Sequence, residues 1–216
     1  GRTDNMLANL RSAAEKGLRH GARGLLVTDW GDGGHWQPLA VSLAGFAYGA
    51  GVAWCLEANA DISLASALDA HLTEGCGGAL LALGGVYRLC GALRGNGTEL
   101  FQILSKPRTR PLLPGVTPET LRAVLVRTDE VTAGLPPSRS VVRQDAEHAA
   151  NLLRAACRRG LALLEGGIDR REERRRLAEE MDELMAAHAR VWRLRNREGG
   201  LADSLARFAA IRREYE

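Results

Sequence analysis

The stretch Gly24–Pro38 reads GLLVTDWGDGGHWQP, and its reading decides the fold. Leu25, Leu26 and Val27 form a continuous apolar run without clear alternation, the pattern of a strand buried on both faces between helices. The run ends abruptly in Asp29, Trp30, Asp32, His35 and Trp36, with Gly31, Gly33 and Gly34 among them. In parallel α/β architectures, the residues just past the C-terminal end of a strand face the site. The apolar run therefore predicts a wall strand, and the residues after it predict a ligand-binding edge. Trp30 offers a flat apolar face to a ring, Asp32 accepts hydrogen bonds from hydroxyls, and the glycines let backbone approach a ligand closely.

Helical patterns flank the run. Met6, Leu7, Leu10, Ala13, Ala14 and Leu18 recur at helical spacing and predict a helix over 5–20, stopped by Gly21. Pro38 opens a second helical segment, rich in Ala and Gly, whose small residues predict close packing on a neighbour. Helix, strand and helix together are one slice of a larger α/β barrel or sheet. A single strand cannot satisfy its own N–H and C=O groups. The other candidate, AVLVRT at 123–128, reads as helix. The chain is therefore expected to be the C-terminal piece of a longer protein, with the missing strands outside it.

From residue 60 onward the pattern is helical. Helices are predicted from 61 or 63 to 72, over 78–90, and over 98–104. A proline-rich connector follows near 105–117, with Pro107, Pro111 and Pro114. Thr117 is a good N-cap, with Pro118 at the first helical position and Glu119 at the positive helix end, and that helix runs to 133. Further helices are predicted over 141–165, 169–197 and 201–213, with Gly166-Gly167 and Gly199-Gly200 as breaks. In the helix over 169–197, Leu177, Met181, Leu184, His188 and Val191 form a narrow seam suited to a helical hairpin. Its other face is rich in Arg and Glu, with Glu172 and Arg176 at the favourable i,i+4 spacing. The expected fold is thus mostly α: residues 1–59 as a helix–strand–helix slice, residues 60–216 as a C-terminal helical region.

Composition narrows the function classes. The net charge is +3, and the basic excess lies late in the chain, mixed with Glu. A nucleic-acid footprint should instead be clustered and little compensated, so no nucleic-acid partner is expected. No run of 18 apolar residues lacks a polar or Gly interruption, so no membrane span is expected. Cys55, Cys76, Cys90 and Cys157 lack C-x-x-C spacing and read as free thiols of a reducing compartment, with a cytoplasmic setting weakly favoured. A metal site from Asp29, Asp32 and His35 has no ligand-spacing rule behind it, and no cofactor is expected. His20, His71, His148 and His188 read as surface or packing residues.

The segment from Asn5 to about Asn59 resembles the end of the (β/α)8 barrel of glycoside hydrolase family 20, the β-N-acetylhexosaminidases. In that family the eighth strand ends in a Trp, one residue, then an acidic residue; here these are Trp30, Gly31 and Asp32. The C-terminal HARVWRLRNREGGLADSLARF is similar to the helical tail of bacterial members. The resemblance implies that Trp30 forms a wall of the pocket for a terminal N-acetylhexosamine of a glycan and that Asp32 binds its outer hydroxyls. Asp29, His35 and Trp36 are further substrate-binding candidates. The family usually has Glu at the position of Asp32, so the reach here is one methylene shorter. The implied reaction is a retaining hydrolysis in which the substrate's own acetamido group attacks the anomeric carbon, an exception to the two-carboxylate scheme. The family's catalytic Asp-Glu pair belongs near the fourth strand and has no counterpart here. No catalytic residue is assigned, and the piece alone is expected to be inactive. Two rival readings are a non-catalytic helical interaction module, docking through the helix over 169–197, and a barrel that kept its sugar pocket but lost catalysis.

Overall fold

The computed structural model describes residues 2–95 and 97–216. Among them the secondary structure is helical, with no strand. The α-helices are α1 (Thr3–Arg19), α2 (Leu39–Trp54), α3 (Leu56–Asn59), α4 (Leu64–Leu68) and α5 (Gly77–Leu83). They continue as α6 (Glu99–Ser105), α7 (Pro118–Ala133), α8 (Val141–Leu164), α9 (Arg171–Arg195) and α10 (Leu201–Arg212).

Several boundaries follow the local chemistry. Thr117 and Thr120 cap the start of α7 reciprocally, with Pro118 at N1. Thr98 caps α6 and Ser140 caps α8 through their side chains. The helix expected over 78–90 breaks instead. α5 ends at Leu83, and a short 3-10 turn covers Val86–Cys90 beyond Gly84-Gly85. The helix expected from 61 or 63 to 72 is shorter too. A π turn over Asp69–Thr73 follows α4, and the Asp69 carboxylate accepts from Thr73 Oγ1 (2.6 Å) and Gly77 N (2.7 Å).

α8 is the central column. It packs on α7, α9, α6, α2 and α5, and alanine is the commonest residue on its buried side. Small residues let neighbours approach: a Cβ on Gly160 would come within 2.7 Å of Leu121 Cδ1. The main core surrounds this column and includes Leu100, Ile103, Leu121, Val124, Leu177, Met181, Leu184 and Phe208. The seam predicted for α9 is buried from Leu177 to His188. Its solvent face carries ion pairs within the helix, but Arg176 reaches Glu173, one turn back at i−3, rather than Glu172. The proline-rich connector is clasped to this core. The buried Glu99 carboxylate accepts from Arg94, from Arg110 (2.9 and 3.1 Å) and from Leu113 N (3.2 Å). Arg159, 1% exposed, donates to Ile103 O (2.9 Å), Lys106 O (3.1 Å) and the Tyr215 hydroxyl (2.9 Å).

The strand expected at Leu25–Val27 is where the structure differs most. The segment is extended but joins no ladder among the described residues. Its apolar side chains are covered on one side only. Leu25 packs into the cluster of Ala14, Ala44, Tyr48 and Val52 between α1 and α2, and Val27 rests on Gly49. Leu26 points away from the helices and is 85% exposed. Within this chain α1 and α2 cover one face of the segment, and nothing described covers the other.

The direction of this unit is fixed by its close approaches. Met6 meets Gly45 and Leu10 meets Gly49, four residues further on each helix, so α1 and α2 run the same way. Ala22 lies against Gly17 and Val27 near Gly49 and Leu10, so the extended segment runs back along α1. Two helices thus run together on one face of an extended segment of opposite direction. Among the described residues no helix is long and apolar enough to cross a membrane. The four cysteines are free; Cys55 is exposed and the other three are buried, and burial pushes the Cys90 thiol up to about 11.

Candidate functional site

A cavity of about 760 Å³ opens where the extended segment ends and where α1 and α2 begin. Its size suits a small-molecule pocket. Asp29, Trp30, Asp32, His35 and Trp36 all line it, so one cavity collects every site residue proposed from the sequence. Opposite walls come from Arg2 and Asn5 at the start of α1 and from Thr98, Phe101 and Gln102 at α6. The floor is apolar, with Leu80, Leu83, Leu104 and Leu153.

The five residues hold different positions. Trp30 is 76% exposed, and its Nε1 donates to Thr28 Oγ1 of the same segment (3.0 Å). Asp29 and Asp32 are exposed, and among the described residues neither has an ion-pair partner. An indole face beside free carboxylates can take a ring that carries hydroxyls. Trp36 is different: it is 4% exposed, stacked on Phe208, and donates from Nε1 to Ser204 O (3.3 Å). Its indole anchors the loop in the main core. His35 stands between, edge-on to Trp192 with ring centroids 5.9 Å apart.

The turn between Trp30 and Trp36 is unusual backbone. Gly33, Gly34 and His35 have φ of 79°, 105° and 53° in succession. Glycine adopts this left-handed region freely, whereas His35 is there against its steric preference. A Cβ on Gly34 would also lie 2.6 Å from Arg207 Cδ. Gly33 and Gly34 are therefore required by the turn.

Beneath the turn lies a buried polar group that sequence reasoning missed. His148 of α8, His188 of α9 and Ser204 of α10 are each at most 3% exposed. His148 Nε2 is 3.1 Å from His188 Nδ1, and His188 Nε2 is 2.9 Å from Ser204 Oγ. Ser204 Oγ in turn donates to Gly34 O. Burial lowers both imidazoles, His148 to about 3 and His188 to about 4, with lesser contributions from neighbouring positive charge. Asp145, nearby on α8, binds Arg195 (2.8 Å) and accepts from Ala40 N (3.3 Å), and burial raises its carboxyl. The buried seam on α9 already marked His188 as inward-facing. No local signal marked its pairing with His148 across two helices.

Near the cavity, partial burial by itself pushes the half-buried Asp4 carboxyl up. The hydrogen bonds from Tyr87 (2.6 Å) and Arg88 (2.9 Å) outweigh that and bring it down to about 2. Among the described residues no group of three His, Cys, Asp or Glu is placed to hold a metal ion. No family model, no curated protein and no solved structure matches the chain.

Proposed function

We propose that this chain is the C-terminal part of a glycoside hydrolase resembling the family 20 β-N-acetylhexosaminidases, and that it supplies one wall of the sugar pocket. The observation that supports this most is the one-sided extended segment. Leu25 and Val27 face two co-directional helices, Leu26 faces outward at 85% exposure, and the segment ends at the cavity rim with Trp30 and Asp32. This arrangement supports reading the segment as a strand of a (β/α)8 barrel whose other strands belong to the rest of the protein.

In this reading, neighbouring strands cover Leu26 and pair with the backbone at 25–27. Trp30 stacks against the ring of a terminal N-acetylhexosamine, and Asp32 accepts from its outer hydroxyls. Asp29 and His35 stand beside them, and Trp36 holds the loop. The substrate's acetamido oxygen attacks the anomeric carbon and the glycosidic bond breaks. The general acid and the residue orienting the acetamide come from the earlier strands. No residue of this chain acts in catalysis.

The test is hydrolysis of a chromogenic N-acetylglucosaminide by the full-length parent, beside its Trp30→Ala variant. The expected result is a fall in kcat/KM of about a hundredfold or more in a variant that stays folded. An unmodified parent that cleaves no N-acetylhexosaminide contradicts the hydrolase reading. Sugar binding without cleavage leaves a barrel that has kept its pocket and lost catalysis.

A further inference from the structure

The hydrogen bonds beneath the 31–37 loop have a determined direction. Gly34 O can only accept, so Ser204 Oγ–H donates to it. Ser204 Oγ is then the acceptor for His188 Nε2, which therefore carries the proton. His188 Nδ1 is left as acceptor, so His148 Nε2 carries the proton that reaches it. One neutral Nε2–H tautomer at each ring carries the chain from α8 to the loop backbone and leaves the buried His148 Nδ1 without a partner among the described residues. The depressed basicity of both buried rings is consistent with that.

Ser204 also accepts, through its carbonyl, from Trp36 Nε1. A single residue of α10 thus holds both sides of a turn made of three successive positive-φ residues. Among the described residues, Trp30 and Asp32 have no tether of their own to the core: Trp30 bonds within its segment, and both side chains are exposed. Their placement is inherited from the backbone, which Val27 fixes on one side and the turn at 33–35 fixes on the other.

We propose that Ser204, oriented by His188 and His148, is a positioning residue for the candidate sugar site: it locks the turn at 33–35 and with it Trp30 and Asp32. This role rests on the sugar-pocket reading above.

The experiment compares the full-length protein with its Ser204→Ala, Ser204→Thr and Trp30→Ala variants. Three quantities are read: amide hydrogen exchange at 31–37, kcat and KM on a chromogenic N-acetylglucosaminide, and the 15N signature of the two histidines. Ser204→Ala removes the donor to Gly34 and leaves the carbonyl that Trp36 uses. Exchange at 31–37 should accelerate about tenfold, KM should rise about tenfold, and kcat should stay within about twofold. Ser204→Thr, which keeps the hydroxyl, should recover most of the KM. A merely structural role would lower the amount of active enzyme, hence kcat, and leave KM unmoved. Both histidines of the unmodified protein should be neutral Nε2–H tautomers; an Nδ1–H tautomer at either ring overturns the chain. Unchanged exchange at 31–37 in Ser204→Ala also overturns it. So does faster exchange with an unmoved KM when Trp30→Ala raises KM. If Trp30→Ala leaves KM unmoved as well, the sugar-site reading itself fails, and the positioning role falls with it.

Discussion

The indole of Trp36 lies on the ring of Phe208, with centroids 3.8 Å apart and planes within 15°. One residue closes the loop after the extended segment; the other sits in the last helix. This stack and the Ser204 hydrogen bonds tie the candidate site to the C-terminal helices. The two tryptophans of the opening stretch therefore divide the work. Trp36 is a packing residue, and Trp30 is the exposed one.

That division predicts opposite stability effects. Trp36→Ala and Phe208→Ala each remove a large buried ring and should cost about 3–5 kcal/mol. Trp30→Ala should change stability by no more than about 0.5 kcal/mol, as exposed positions do. Urea unfolding of the three variants checks this. A destabilised Trp30→Ala would mean that its ring is packed rather than offered to a ligand.

Gly34 should not tolerate a side chain. Its φ of 105° lies in the left-handed region, and a Cβ would press on Arg207 Cδ at 2.6 Å and Trp36 Nε1 at 3.1 Å. Gly34→Ala should cost about 1–3 kcal/mol and loosen the 31–37 loop first. Amide exchange of the loop, beside global unfolding, separates the two effects.

Local chemistry made much of the helical framework legible. The Thr117-Pro118 start of α7, the Gly21 stop after α1 and the seam of α9 are each set by residues within a single helix and its flanks. What was not legible depends on distant partners. The apolar run at Leu25–Val27 carries no sign of which faces are covered, and only α1 and α2 cover it here. Glu99 finds its cation at Arg110 in the connector, and Arg159 finds acceptors on α6 and near the C-terminus. That Asp29, Trp30, Asp32, His35 and Trp36 line one cavity follows from their closeness in sequence; the His148–His188–Ser204 chain joins three helices and was not legible.

The buried carboxylate of Glu99 is a further test. It is 1% exposed and carries the Arg94 and Arg110 contacts and the Leu113 amide. Glu99→Ala leaves those donors facing each other without an anion and should cost about 3–5 kcal/mol. Thermal unfolding measures the loss, and proteolysis should find the 106–117 connector newly accessible.

The two histidines make stability fall with acid. Well above pH 6.5, at about pH 7.5 and higher, both are neutral in folded and unfolded chains, and their contribution is flat. As pH falls from 6.5 toward about 4 and about 3, the unfolded chain takes up protons that the folded rings refuse, so stability drops. The slope from the pair reaches at most about 2.7 kcal/mol per pH unit. His35, Arg190, Asp145 and Arg195 surround the pair, and the positive charges among them add to its resistance to protonation. Urea midpoints between pH 7.5 and 5 should fall, and His148→Gln should remove about half the slope. An unchanged slope in that variant would place the acid sensitivity elsewhere.

The central claim is that the extended segment is one strand of a larger sheet, carrying Trp30 and Asp32 to its edge. Amide hydrogen exchange at Leu25, Leu26 and Val27 in the full-length protein tests this most directly. The account predicts protection of about a hundredfold or more over an unstructured peptide, because neighbouring strands take up those N–H groups. Exchange at the unstructured rate would contradict it, leaving the segment a solitary strap across α1 and α2.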